Sequence, residues 1–226
     1  TQFTRRRFIA WSSLVAVLQH RMLRDVRAAE NSSSREWLFF SEAEAVFVAA
    51  VADVLIPSDD QSPSATEAGV VVYIDRQLAG LYGAGRYQYL QGPFRAGTPQ
   101  QGYQLEQVPG QLYRGGIAAV DNFVRRKHGV PGAASLAAPE LTRVVEDMES
   151  GRLDEAGFPV SEFFRTLRGN VVEGYFGDPI YGGNRNMAGW TFLGFPGVDT
   201  YYADDIERDG LRYTRAPTGL KGRLQG

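Results

Sequence analysis

The sequence predicts a mainly α fold: a single compact helical domain with long irregular loops and an extended C-terminal segment. Three observations carry this. Apolar residues recur at spacings of three and four in several separate stretches, helix-initiating residues stand before them, and no stretch sustains the apolar–polar alternation of a half-buried strand. At 226 residues the chain is long enough to bury one core without cross-links.

The first helix is announced by Ser41-Glu42-Ala43-Glu44, a capping box in which the serine and the glutamate three positions on satisfy each other's backbone N–H groups. Val46, Phe47, Ala50, Val54 and Leu55 follow at helical spacing until Pro57 ends the run. After a turn-rich loop over residues 59–64, a second helix is expected over 65–78, with Val71, Ile74 and Leu78 on one stripe and Gly80 beyond its end. The run Val70-Val71-Val72-Tyr73 also fits a strand, but its flanks favour helix. Residues 80–110 are dominated by Gly, Gln, Pro and Tyr and read as a long excursion with one short helix, and long loops in compact domains usually serve function. Helix returns over 109–127, where Leu112, Ile117, Val120 and Val124 form a stripe. Arg125, Arg126, Lys127 and His128 suit the negative C-terminal end of its dipole. Two more helices are expected over 139–149 and 159–176, the second carrying Phe163, Phe164, Leu167, Val171 and Tyr175 for burial.

Composition removes several function classes. With 43% hydrophobic and 22% charged residues, the chain is too mixed for a protein of many membrane spans. The net charge of −2 and the absence of a long basic run past the N-terminus give no footprint for nucleic acid. There is no cysteine, so disulfides, covalent haem attachment, thiolate-held clusters and a thiol nucleophile are excluded. The two histidines, His20 and His128, are too few for a histidine-rich metal site. The acidic pairs Asp59-Asp60 and Asp204-Asp205 have no nucleophile–base constellation beside them. No catalytic, cofactor or metal residue is therefore assigned to this chain.

The N-terminus carries an address. Thr4-Arg5-Arg6-Arg7-Phe8-Ile9 matches the twin-arginine export pattern, with Arg5, Arg6 and Phe8 at its defining positions, and an apolar stretch over residues 9–18 follows. That stretch is too short to span a bilayer. Charges at His20, Arg21, Arg24, Asp25 and Arg27 crowd the region where a peptidase would cut, and Val26-Arg27-Ala28 is the best small-residue site there. The twin-arginine route moves folded cargo, which suits a unit that binds a cofactor before export. The expected organisation is a signal helix and linker over 1–36, a helical domain over 37–198 and a tail over 199–226.

A family comes into view in the second half. Phe163-Phe164-Arg165-Thr166-Leu167-Arg168 leads to Glu173-Gly174-Tyr175-Phe176-Gly177-Asp178-Pro179, then to Tyr181-Gly182-Gly183-Asn184-Arg185-Asn186, Gly189-Trp190 and Gly194-Phe195-Pro196-Gly197. This block resembles the gluconate 2-dehydrogenase subunit 3 family, and the resemblance extends to the twin-arginine leader, Ile56-Pro57, Ala68-Gly69-Val70 and Tyr73-Ile74-Asp75. It implies a periplasmic complex on the outer face of the cytoplasmic membrane. In such a complex a large flavoprotein of the glucose–methanol–choline type holds FAD, and a multihaem cytochrome c subunit carries haem c and passes electrons on. The small member lends the signal read by the twin-arginine translocase and supports maturation of the large one. The glycine string Gly80, Gly83, Gly85 has the dinucleotide fingerprint's spacing reversed and no strand before it, so the flavin is expected in the partner. The resemblance leaves the substrate open among gluconate, 2-ketogluconate, fructose, glucose and glycosides. An exported helical binding protein without an enzyme partner is the alternative.

Two readings of the Gly-Gly-Asn block stand side by side. Its glycines can permit backbone angles closed to other residues while Trp190, Phe192 and Phe195 fill the core. Alternatively, Tyr181, Gly182, Gly183, Asn184, Trp190 and Phe195 form a partner interface, since rigid aromatics beside exposed main chain make good anchors. The loop over 80–110 is expected to contribute to the same contact.

Overall fold

The computed structural model describes residues 36–95, 97–154, 157–198, 205–210 and 212–222. Arg5, Arg6, Phe8 and Asp204 lie outside the described residues. Among the described residues there are six α-helices and no strand. They are α1 (Glu42–Leu55), α2 (Val70–Ala79), α3 (Pro109–His128), α4 (Ala138–Glu149), α5 (Val160–Phe176) and α6 (Ala188–Leu193).

The arrangement follows from α5, because all five other helices pack against it. Val160, Phe163, Phe164, Leu167, Asn170, Val171, Gly174 and Tyr175 are buried along it. The positions between them, Arg165, Arg168, Gly169, Val172 and Glu173, form one exposed stripe, and the rest of the helix surface is turned to its neighbours. Leu141, Val144, Val145 and Met148 of α4 repeat at steps of three and four and form one buried seam. At the α3–α5 crossing, a Cβ on Gly116 would sit 2.2 Å from the Phe163 ring, so only glycine lets that ring enter. Phe163 then meets Tyr113 edge-on at 5.3 Å and Phe47 at 6.2 Å.

The capping box of α1 forms as expected: Glu44 N–H donates to Ser41 Oγ at 3.3 Å, and Ser41 N–H donates to the Glu44 carboxylate at 2.8 Å. The buried face differs from the expected stripe. Ala45, Phe47, Val48, Val51 and Ala52 are inside, whereas Val46 is 47% exposed. The run from Ala45 to Ala52 is apolar on every face, so periodicity cannot choose a side; packing against α2, α4 and α5 chooses it.

Helix α2 begins five residues later than expected. A second reciprocal pair, Ser64 with Glu67, does start a helical turn. Gly69 then enters the left-handed region at φ 84°, and glycine is needed there twice over, since a side chain would also stand 2.9 Å from the Gly182 carbonyl. The chain restarts as α2 at Val70, so the strand alternative for 70–73 does not form. The excursion over 80–110 holds one short 3₁₀ turn, Pro99–Gln101, and α3 closes at His128 with Gly129 left-handed beyond it.

Two polar devices tie the core. Asp75 is buried and accepts the main-chain N–H groups of Leu38, Phe39 and Phe40 at 2.9, 2.9 and 3.0 Å, fixing the entry into α1. Further along, the hydroxyls of Tyr113 and Tyr82 donate to Asn170 Oδ1 at 2.9 and 3.1 Å. Asn170 Nδ2 and the Tyr73 hydroxyl both donate to Glu173 at 3.0 and 3.2 Å. Burial pushes the Tyr113, Tyr82 and Tyr73 hydroxyls above the usual tyrosine range, and the Glu173 charge adds to the shift at each.

Two outcomes are expected. Asp75→Ala strands one buried and two part-buried donors and should lower stability by roughly 2 kcal/mol in urea unfolding; a loss under about 0.5 kcal/mol contradicts the clasp. The unfolded chain releases tyrosine protons near pH 10 while the folded core holds them. The network's contribution is therefore full below about pH 10 and is lost as pH rises above it. Tyrosinate absorbance should show these three hydroxyls ionising together with loss of helical circular dichroism, not before it.

Candidate functional site

A helix leaves its last four carbonyls without partners inside it, and a hub helix packed against five others cannot give them all to water. The segment after α5 supplies the donors. Gly177 N–H donates to the Glu173 carbonyl at 2.7 Å. Asn184 N–H donates to Gly174 at 2.8 Å, its Nδ2 to Gly177 at 2.8 Å, and Trp190 Nε1 to Phe176 at 2.5 Å. Asn184 Oδ1 in turn accepts the Gly189 N–H at 2.9 Å. One asparagine and one tryptophan thus cap the helix to which the others are attached.

Reaching those carbonyls demands close backbone approach. A Cβ on Gly183 would be 2.0 Å from the Gly174 carbonyl oxygen, and one on Gly189 2.2 Å from that of Tyr175. Asn184, Asn186 and Met187 all adopt positive φ, at 42°, 58° and 55°; such residues cost of order 1–3 kcal/mol unless their surroundings hold them. Here the holding is provided by the caps and by Arg185 N–H on the Ala68 carbonyl at 2.8 Å.

The six residues singled out in the sequence fall into two groups. Gly183, Asn184 and Trp190 are buried, and Gly182 is half-buried; they pack this chain's own core in the structure. Tyr181 and Phe195 are exposed. Phe195 leans edge-on against Trp190 at 5.3 Å, so an exposed ring is seated on a buried one. Sequence reasoning missed α6 and the surface it makes: Gly189 and Trp190 face inward while Phe192 and Leu193 are 48% and 59% exposed. Helical spacing offered little to find it, because α6 is only 6 residues long.

More exposed apolar side chains gather at this end. Val198 follows residues paired with Thr218, through Val198 N–H at 2.6 Å on its carbonyl and Thr218 N–H at 3.1 Å on that of Pro196. Asp178 accepts both Ile180 N–H at 2.9 Å and Leu220 N–H at 2.8 Å. Ile180, Val198 and Leu220 are exposed as well. Within the 80–110 excursion, Leu81, Tyr87, Tyr89 and Phe94 are exposed.

The glycine string Gly80, Gly83, Gly85 follows helix α2 and forms turns. Asp59 caps its own turn by accepting Gln61 and Ser62 N–H groups, which hold its carboxyl below the usual range. Among the described residues, no group of three or more His, Asp or Glu side chains is placed to hold a metal ion.

The family model for gluconate 2-dehydrogenase subunit 3 matches residues 42–197, from the first residue of α1 to the glycine that pairs with Thr218. No curated protein and no solved structure matches the chain.

Gly183→Ala should destabilise the chain by about 1–3 kcal/mol, the usual range for forcing a methyl into packed backbone, and Trp190→Ala by about 3–5 kcal/mol. Phe192→Ser and Leu193→Ser, on the outer face, should each stay within about 0.5 kcal/mol. Urea unfolding of the four variants checks the division, and equal losses in all four would erase it.

Proposed function

The chain belongs to the gluconate 2-dehydrogenase subunit 3 family, and we propose that it is the non-catalytic small subunit of a periplasmic, FAD-dependent sugar or sugar-acid dehydrogenase complex. Its tasks are to carry the twin-arginine signal for the complex and to stabilise the large flavoprotein during maturation. FAD belongs to that large subunit of the glucose–methanol–choline type, and haem c to a multihaem cytochrome subunit that passes electrons to the membrane. The observation that carries the reading is the exposed apolar surface of Phe192, Leu193 and Phe195, built on the capped end of α5. Contiguous apolar surface on a soluble chain marks a place of association. A permanent association without disulfides rests on buried area, on the order of 2,000 Å² or more.

The glycine string of this chain is no pyrophosphate cradle, which supports placing FAD in the partner. The fingerprint that cradles a pyrophosphate needs a strand, a glycine turn and a helix N-terminus in that order, whereas Gly80, Gly83 and Gly85 come after the C-terminal end of α2. The leader supports the export role: Thr4-Arg5-Arg6-Arg7-Phe8-Ile9 is the address of a route that accepts folded cargo, so one signal can serve a cofactor-loaded complex.

The experiment replaces Arg5 and Arg6 by Lys in the producing bacterium and follows both subunits by fractionation. Both should remain in the cytoplasm, with periplasmic dehydrogenase activity reduced at least about tenfold. A flavoprotein that still reaches the periplasm at normal levels overturns the shared signal. Native purification of the wild-type chain without any FAD-containing partner overturns the subunit role and favours a binding protein that acts alone.

A further inference from the structure

Beside the exposed apolar surface lies a cavity of 240 Å³ whose wall includes Arg76, Asp178, Ile180, Met187, Gly219 and Lys221. Arg76 stands in the last turn of α2. Its guanidinium occupies the space that a side chain at position 182 would take: a Cβ there would be 2.6 Å from Nη1. Gly182 at φ 103° therefore makes the room that this exposed cation occupies. Lys221 lies in the turn closed by Gly222 N–H on the Gly219 carbonyl at 2.8 Å. Asp178 anchors that turn through Leu220 N–H.

The electrostatics of the cavity are unbalanced. Among the described residues, Arg114, Arg152, Arg165, Arg168 and Arg208 each sit against a carboxylate, but neither Arg76 nor Lys221 has a hydrogen-bond or ion-pair partner. Asp178 shares their cavity, yet its oxygens accept the main-chain N–H groups of Ile180 and Leu220. Two cations and one carboxylate leave a single positive charge, which a monoanion matches and a phosphate dianion overshoots. A carboxylate bridging a guanidinium and an ammonium gains charge-assisted hydrogen bonds from both. Ile180 belongs both to the cavity wall and to the exposed apolar surface, so an occupant of one adjoins an occupant of the other.

We infer that this cavity receives an aspartate or glutamate side chain of the large dehydrogenase subunit, clamped by Arg76 and Lys221 at the edge of the apolar contact. The inference rests on the subunit role proposed above. It adds the chemistry of the partner's docking segment: an acidic residue flanked by apolar ones. A desolvated ion pair of this kind acts mainly on the rate of dissociation and on register.

The purified native complex tests it. Treatment with a water-soluble carbodiimide should join Lys221 Nζ to the clamped carboxyl as an amide, with loss of water, and peptide mass spectrometry should find Lys221 linked to an Asp or Glu of the flavoprotein. Lys221→Arg should abolish that cross-link and leave the complex intact. Lys221→Gln and Arg76→Gln should each speed dissociation at least about tenfold, with the dehydrogenase activity of intact complex unchanged. Thermal melts of the isolated variants verify folding, and Lys221→Gln, on an exposed turn, keeps the test valid if Arg76→Gln unfolds. A Lys221 cross-link only to Asp178 overturns the inference while the subunit role stands, as do unchanged dissociation rates. If no flavoprotein accompanies the wild-type chain, the role and the inference fall together. Acetate or inorganic phosphate binding the isolated chain below about 1 mM would make this a site for free anions and overturn the docking.

Discussion

The carbonyls at the C-terminal end of α5 are the constraint from which the molecule is built. This helix touches every other one, so its end is surrounded by protein and its unpaired acceptors must be met by protein donors. An unmet buried acceptor costs on the order of 1–3 kcal/mol, and several are at stake within one turn. Asn184 serves the carbonyl of Gly174 and that of Gly177 just beyond the helix, and Trp190 serves that of Phe176. Everything peculiar about the following segment serves that geometry. Glycines at 174, 183 and 189 let two stretches of backbone come within touching distance. The left-handed residues at 184, 186 and 187 turn the chain sharply enough to bring the asparagine and the indole back over the helix end.

A consequence is that the exposed aromatic surface has a stiff foundation. Phe195 rests on Trp190, whose indole is tied to the main chain of α5, and Phe192 and Leu193 project from the same short helix. Ordering mobile side chains at an interface costs about 0.5–1.5 kcal/mol each. Side chains on a helix fixed by a buried tryptophan have part of that ordering already in place. The Arg76 guanidinium lies in the space left open by Gly182, beside that stiff surface.

The sequence disclosed elements better than faces. The capping box at Ser41, the proline at the start of α3 and the stripes of α3 to α5 carry strong local signals, and those helices stand where periodicity and caps put them. Two failures share a cause in tertiary contact. The inward side of α1 is decided by α2, α4 and α5, since its own residues from Ala45 to Ala52 are apolar all round. The start of α2 is decided at Gly69, whose left-handed backbone interrupts the turn begun at Ser64 and lies against the carbonyl of Gly182, more than a hundred residues away. At the candidate site, the importance of Gly182, Gly183, Asn184 and Trp190 was legible from their unusual clustering. Which of them face inward was not, because a six-residue helix with three left-handed residues before it has no period to read.

The distant ties that shape α2 also set an order of events during synthesis. Tyr175 reaches the carbonyl of Pro63 across 112 residues, and Glu173 meets Tyr73 across 100. Contacts so far apart in the chain cannot form until the ribosome has delivered both halves, and elongation at about 5–20 residues per second places roughly 5 to 20 s between them. Under the export role proposed above, the arginine pair emerges first and the helix end it advertises closes last. The address is therefore on display while the parcel is still open, and a translocase that admits only closed structures must wait for Asn184 and Trp190 to arrive.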